Sequence, residues 1–166
     1  MVVIVQFLAA DEDSHGEDVG RGIGAIEIAV APVVPEAVAN IDQRRIDRIE
    51  VPCVTLDNEL ERLSRILLLK IDVEGSELRV LEGARQTLAR TACVNCEMGD
   101  AHYRRDGYGM PDLIAVLQLH GFQTFVVDGA RRVRPVDAQF AEPGGHELVA
   151  CRDAADFAQR TGWRLR

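Results

Sequence analysis

Ile66-Leu67-Leu68-Leu69-Lys70-Ile71-Asp72-Val73 is an apolar run that acquires charge only toward its end, and Glu74-Gly75-Ser76 follows it directly. A short apolar run closed by a glycine turn fits a strand buried on both faces of a sheet. Immediately after it, Leu78, Leu81, Ala84 and Leu88 recur at three- to four-residue spacing, leaving Glu77, Glu82, Arg85 and Arg90 for the opposite face. That spacing is one stripe of an amphipathic helix. Residues 66–90 therefore read as a strand, a turn and a helix.

The same alternation continues toward the C-terminus. Ala92 to Met98 reads as the next strand, Pro111 to His120 as a helix stopped by Gly121, and Phe122 to Val127 as a third strand. A βαβαβ order predicts an α/β fold with a mostly parallel sheet. His146 to Cys151 is expected as a last strand, antiparallel to its neighbours. Asp153 to Gly162 is expected as a short helix anchored by Phe157. Upstream, Val2 to Ala9 reads as a strand buried on both faces, Ala25 to Val30 as another, and Arg48 to Leu56 as an imperfectly alternating one. Asp57 is placed to cap a helix over Asn58 to Arg65. The expected division is a domain over residues 1–152 and a helical tail over residues 153–166.

With 166 residues the chain is near the size of one globular domain and long enough to fold without a disulfide or metal staple. Its 19 basic and 27 acidic residues give a net charge of -8, and Lys70 is the only lysine. Such a field disfavours nucleic acid and anionic membranes as general partners. No apolar run approaches the length of a membrane span, and the first residues lack the pattern of a signal peptide, so a cytoplasmic protein is expected. Cys93 and Cys96 form a C-x-x-C inside an expected strand. Residues three apart on a strand point to opposite faces, so the pair reads as two structural thiols and no metal site is expected.

In sheets of this kind ligands lie beyond the carboxyl ends of the strands. Asp72 and Glu74 stand at one such end and Glu97 at the next, ahead of a long polar loop, Gly99 to Gly109, that carries His102 and Tyr103. An acid-lined cleft of this composition suits a hydroxyl-rich or cationic ligand better than a phosphate. The bland alternative is that Glu74 caps the helix and Asp72 accepts hydrogen bonds from a loop.

Lys70-Ile71-Asp72-Val73-Glu74-Gly75-Ser76-Glu77, followed by Val80-Leu81-Glu82-Gly83-Ala84, resembles the hallmark L-K-I-D-V-E-G-x-E-x-x-V-L-x-G-A of the FkbM family of methyltransferases. Val54-Thr55-Leu56-Asp57 resembles the family's T-L-D, and Glu97, Gly121-Phe122 and Ala9-Ala10-Asp11 extend the likeness over about residues 5 to 150. The resemblance implies a Rossmann-like class I methyltransferase sheet and S-adenosylmethionine as cofactor, with methyl transfer to a hydroxyl of a small molecule, sugar or glycan. It implies Asp11 near the adenine, Asp72 near the reacting methyl, Glu74 beside the cofactor, and Glu97 or His102 as the base at the acceptor.

The family's opening strand and its glycine-rich turn, V-D-V-G-A-N-x-G, have no counterpart before Val2, so an N-terminally truncated form of the domain is expected. Asp18-Val19-Gly20-Arg21-Gly22-Ile23-Gly24 spells an acid before G-x-G-x-G, but no strand signal precedes it and a strand signal follows, so it reads as a loop. Without the first strand, the strand at residues 66–73 would show an open edge. Either the strand at Val2 to Ala9 closes it, or a second copy or partner subunit does. Beside the enzyme, a non-catalytic binding or assembly module and, more weakly, a nucleotide-binding oxidoreductase stay open.

Overall fold

The computed structural model describes residues 4–9, 23–27, 53–73, 75–99 and 107–166. Its first two strands, β1 (Ile4–Ala9) and β2 (Ile23–Glu27), pair antiparallel, and β1 pairs antiparallel with β3 (Ile66–Asp72), Ile4 lying opposite Asp72 and Phe7 opposite Leu69. The edge of the apolar strand is thus paired with β1. The short helix α1 (Leu56–Glu59) precedes β3, and α2 (Glu77–Glu82) and α3 (Arg85–Ala89) follow it. Next come β4 (Thr91–Gly99), α4 (Met110–Leu119), β5 (Gln123–Val127), β6 (Arg132–Pro135), β7 (Gly145–Cys151), α5 (Ala154–Thr161) and β8 (Arg164–Leu165).

Among the described residues the sheet has eight strands in the order β2-β1-β3-β4-β7-β5-β6-β8. Among the described residues only β3/β4 and β6/β8 pair in parallel, so the expectation of a mostly parallel sheet is corrected: the sheet is mixed. The reason is topological. β3, β4 and β5 do run in one direction, as the βαβαβ reading requires, but β7 returns between β4 and β5 and is antiparallel to both. At the other end β1 enters against β3 in reverse. The strand expected to be antiparallel is therefore also the one that separates its neighbours.

Strict alternation sorts the side chains of the central strands onto two faces. Leu69 and Ile71 of β3, Val94, Cys96 and Met98 of β4, and Leu148 and Ala150 of β7 are buried with Leu81 and Leu88 and with Leu113, Ile114 and Leu117 of α4 in the main core. The other face holds a smaller cluster of Phe125, Val133, Val149 and Cys151, against which Cys93, Phe157 and Trp163 pack. Cys93 and Cys96 therefore lie on opposite faces, as their spacing requires. Phe157 anchors α5 as expected; Asp153 caps it, accepting from the Ala155 and Asp156 amides, and Gly162 ends it at a φ of 70°. Among the described residues no helix is long and apolar enough to cross a membrane.

Two local expectations change. The single helix read from Leu78 to Leu88 is interrupted at Gly83 and Ala84, giving α2 and α3, although the apolar stripe itself is correct: Leu81, Ala84 and Leu88 are all buried. Cys53 to Thr55 are not in a strand, and the rest of the alternating stretch before them lies outside the described residues. Asp57 is not an N-cap either. Thr55 caps α1, its hydroxyl accepting from the Asn58 amide at 3.3 Å. The Asp57 carboxylate instead reaches across to α3 and accepts from the amides of Gln86 at 3.1 Å and Thr87 at 2.7 Å. It thereby serves a helix start whose own flanking residue, Ala84, has no side-chain acceptor.

Burial alone would push the Asp57 carboxyl up, but the Thr87 and Gln86 amides and the Arg90 guanidinium outweigh it and hold the group below its usual range. A depressed pKa means that the contribution to stability is complete above the unfolded value, about 3.9, and is lost as pH falls through the folded value. Asp57→Ala should cost about 1 kcal/mol at neutral pH, as cap deletions do. Urea midpoints should show that deficit closing as the pH is taken below about 3.9. A deficit that stays constant over that range would show that the carboxylate charge is not what holds α3.

Candidate functional site

The strand-turn-helix junction after β3 is organised by a residue that the helical spacing places on the outer face. Glu77 is only 2% exposed, and its Oε1 accepts from the backbone amides of Val73 at 3.3 Å and Gly75 at 3.2 Å. The Tyr108 hydroxyl donates to the Gly75 carbonyl and lies 3.5 Å from the second Glu77 oxygen. A carboxylate at the start of a helix faces unsatisfied N–H groups and the favourable end of the dipole, which accounts for a buried acid here. Burial, and next the charge of Glu77, push the buried Cys96 thiol well above its usual range. The cue was the glutamate two residues after Gly75; what hid it was the helical periodicity, which assigns it to solvent.

Gly75 itself sits at a φ of 103°, a backbone region that side chains with a Cβ rarely enter. Gly75→Ala should therefore destabilise the fold by roughly 1–3 kcal/mol. A denaturation midpoint equal to that of the unsubstituted chain would show that the turn relaxes.

The turn fixes where β3 ends and so where Asp72 stands. Lys70 and Asp72 share a face of the strand and their side chains pair, Nζ to Oδ2 at 3.2 Å, each about a third exposed. In the parallel pair of β3 and β4, Lys70 lies beside Asn95 and Ile71 beside Cys96. One residue further, that register brings Asp72 and Glu97 side by side at the carboxyl ends of adjacent strands. β7 adds Glu147 directly opposite Glu97 and Val149 opposite Asn95. Asn95 Nδ2 donates to Glu147 Oε1 at 3.1 Å and to the Leu148 carbonyl at 3.3 Å.

Lys70, Asn95, Glu97, His146 and Glu147 line a cavity of about 380 Å³ here, with Gly145 at its edge. Two carboxylates directly opposite across paired strands repel. Lys70 and Asn95 supply donors on this face, Lys70 to Asp72 and Asn95 to Glu147. His146 is the imidazole in this neighbourhood, yet it lies opposite Met98 in the pairing, and its ring stands edge-on to the buried Phe140 at 5.0 Å.

Of the sequence-selected site residues, Asp72 and Glu97 stand one register step past the last β3/β4 pair, and the cavity is lined by Glu97 and by Asp72's partner Lys70. Asp11, Glu74 and His102, with Tyr103, lie outside the described residues. Of the G-x-G-x-G stretch, Ile23 and Gly24 belong to β2, and Gly20 and Gly22 lie outside the described residues. Sequence reasoning passed over Lys70, Asn95 and Glu147 as partners of the acids. Lys70 and Asn95 were recoverable by continuing the alternation back from Asp72 and Glu97; Glu147 was not, because only the insertion of β7 beside β4 brings it there. Among the described residues no group of three or more His, Cys, Asp or Glu side chains is arranged to hold a metal ion.

A protein-family model described as the methyltransferase FkbM domain matches residues 11–124, well over half of the chain. No curated protein and no solved structure matches the chain.

Proposed function

Because the chain belongs to the FkbM methyltransferase domain family, we propose that it moves a methyl group from S-adenosylmethionine to a hydroxyl oxygen of a small molecule, sugar or glycan at the carboxyl ends of β3 and β4. What supports this reading is the β3/β4 register, which carried one residue past Ile71 and Cys96 sets Asp72 beside Glu97 on the face of Lys70, Asn95 and Glu147. The donor set fits the cofactor's chemistry: carboxylates favour a sulfonium cation and accept from ribose or ammonium donors, whereas a phosphate would meet like charge. Asp72 would hold the cofactor, with Glu74 and Asp11 as the further candidates. When bound, S-adenosylmethionine supplies an electrophilic methyl carbon.

The chain's own groups have two tasks. The first is alignment, because in-line substitution needs the attacking oxygen about 3–3.5 Å from the carbon and opposite the leaving sulfur. Asp72 contributes to it, fixed by Lys70 on one side and by the Glu77-organised turn on the other. The second is proton removal from the acceptor hydroxyl, a role for Glu97, with His102 as the alternative base.

Calorimetric titration of the whole chain with S-adenosylhomocysteine tests the reading. Saturable binding at about micromolar strength or tighter is the expected result, a free energy of about -8 kcal/mol. A folded chain that takes up none of it would replace the enzyme by a non-catalytic binding or assembly module.

A further inference from the structure

Cys93 and Cys151 are directly opposite each other in the antiparallel pair of β4 and β7, and both are reduced thiols on the face that carries the smaller cluster. The Arg152 amide donates to the Ala92 carbonyl at 3.1 Å, so Ala92 and Arg152 form a hydrogen-bonded pair. The next pair along, Cys93 and Cys151, is by alternation a non-hydrogen-bonded one. In such pairs the Cα atoms are about 4.5 Å apart and the side chains approach most closely. That separation falls inside the window of about 4.4–6.8 Å that a disulfide spans.

The two sulfurs differ in access. Cys151 is fully buried, whereas Cys93 is half-buried and lines a cavity of about 450 Å³ together with Arg65, Arg90, Arg152 and Arg160. The Arg90 Nε is buried there without a partner. Arg160 pairs here with Asp156 at 2.7 Å and Arg152 donates to the Thr91 and Leu88 carbonyls, so with Asp153 at the rim the four arginines leave a modest excess of positive charge in a chain whose net charge is -8. It favours a small anion as the visitor. Burial, then Asp156, raise the Cys93 thiol; burial, then Cys93 itself, push Cys151 up to about 12. Both thiols are thus less readily ionised than a free one, and Cys93 is the one that the cavity reaches.

We propose that Cys93 and Cys151 form a reversible cross-strand disulfide by exchange with a low-molecular-weight disulfide bearing carboxylate groups, admitted through the arginine-lined cavity. Cys93 loses its proton to solvent and attacks one sulfur of the incoming disulfide, whose S–S bond breaks and releases one thiol. Cys151 then loses its proton and attacks the Cys93 sulfur of the mixed disulfide, releasing the second thiol. Two protein thiols are oxidised and one small disulfide is reduced to two thiols. The bond is reversed by the same exchange chemistry when small thiols are in excess. It ties β4 to β7 on the face of Glu97 and Glu147, toward the opposite end of both strands.

The test uses the whole chain carrying Cys53→Ser, which removes the exposed thiol, incubated folded with oxidised glutathione. Remaining thiols are alkylated after denaturation and the peptides are mapped. The expected result is loss of Cys93 and Cys151 from the alkylated pool, a linked Cys93–Cys151 peptide that dithiothreitol abolishes, and full alkylation of Cys96. Adding Cys151→Ser should stop the reaction at a glutathione adduct on Cys93. Full alkylation of both Cys93 and Cys151 after oxidation, or a link that involves Cys96, overturns the proposal. The mapping without the Cys151 substitution decides the matter even if that variant fails to fold.

Discussion

Glu77→Ala is expected to lower stability by about 2 kcal/mol or more, although a helical reading of the sequence puts this residue at the surface. The substitution removes the acceptor of two backbone donors, the Val73 and Gly75 amides, in a place where the side chain is 2% exposed. Each buried donor left without a partner costs about 1–3 kcal/mol, which places the pair roughly between 2 and 6. The vacated space adjoins Tyr108, whose hydroxyl keeps the Gly75 carbonyl but loses the nearby Glu77 oxygen. Glu77→Gln separates acceptance from charge: both amides bond to the one oxygen Oε1, which a glutamine carbonyl can replace. Glutamine should recover more than half of the loss. Urea unfolding with an unchanged slope measures both variants. If Glu77→Ala lies within about 0.5 kcal/mol of the unsubstituted chain, water has replaced the carboxylate and the turn does not depend on it.

Glu77 also illustrates where legibility ends. The apolar run at residues 66–73, the stripe Leu81, Ala84 and Leu88, the helix ended by Gly121 and the last antiparallel strand could all be read, because each expresses a local periodicity or a stop signal. What could not be read was any fact that depends on which strand lies beside which. The insertion of β7 between β4 and β5 makes the sheet mixed, sets Glu147 against Glu97, and sets Cys151 against Cys93. None of these pairs is closer than fifty residues in sequence. Asp57 shows the same limit at shorter range: its type and place suit a cap, and it is one, but for the helix beginning at Arg85 across the turn. The candidate site was half legible. Strand-end position selected Asp72 and Glu97, while Lys70 and Asn95 required the parallel register that joins them.

Asp72→Asn should reduce methyl transfer by about a hundredfold or more while the fold is retained. The argument for retention is one of magnitude. Asp72 pairs only with Lys70 among its described partners, and with each side chain about a third exposed such an ion pair contributes about 1 kcal/mol at most. Asparagine keeps the shape, so the urea midpoint should barely move. The argument for lost activity is electrostatic: on the proposed reading the carboxylate faces a cationic centre whose charge is neutralised as the methyl departs, and an amide offers that centre neither charge nor a second acceptor. Binding and turnover should then separate. If Asp72 acts by holding the cofactor, S-adenosylhomocysteine affinity falls with the rate; if it acts by aligning the reacting centre, affinity survives and kcat alone drops. Glu97→Gln is the necessary companion, because a base at the acceptor hydroxyl would flatten the acid limb of the pH–rate profile, which loss of Asp72 leaves in place. Unchanged turnover in Asp72→Asn would remove this residue from the mechanism and leave Glu97, with Lys70, Asn95 and Glu147 around it, as the centre of the site.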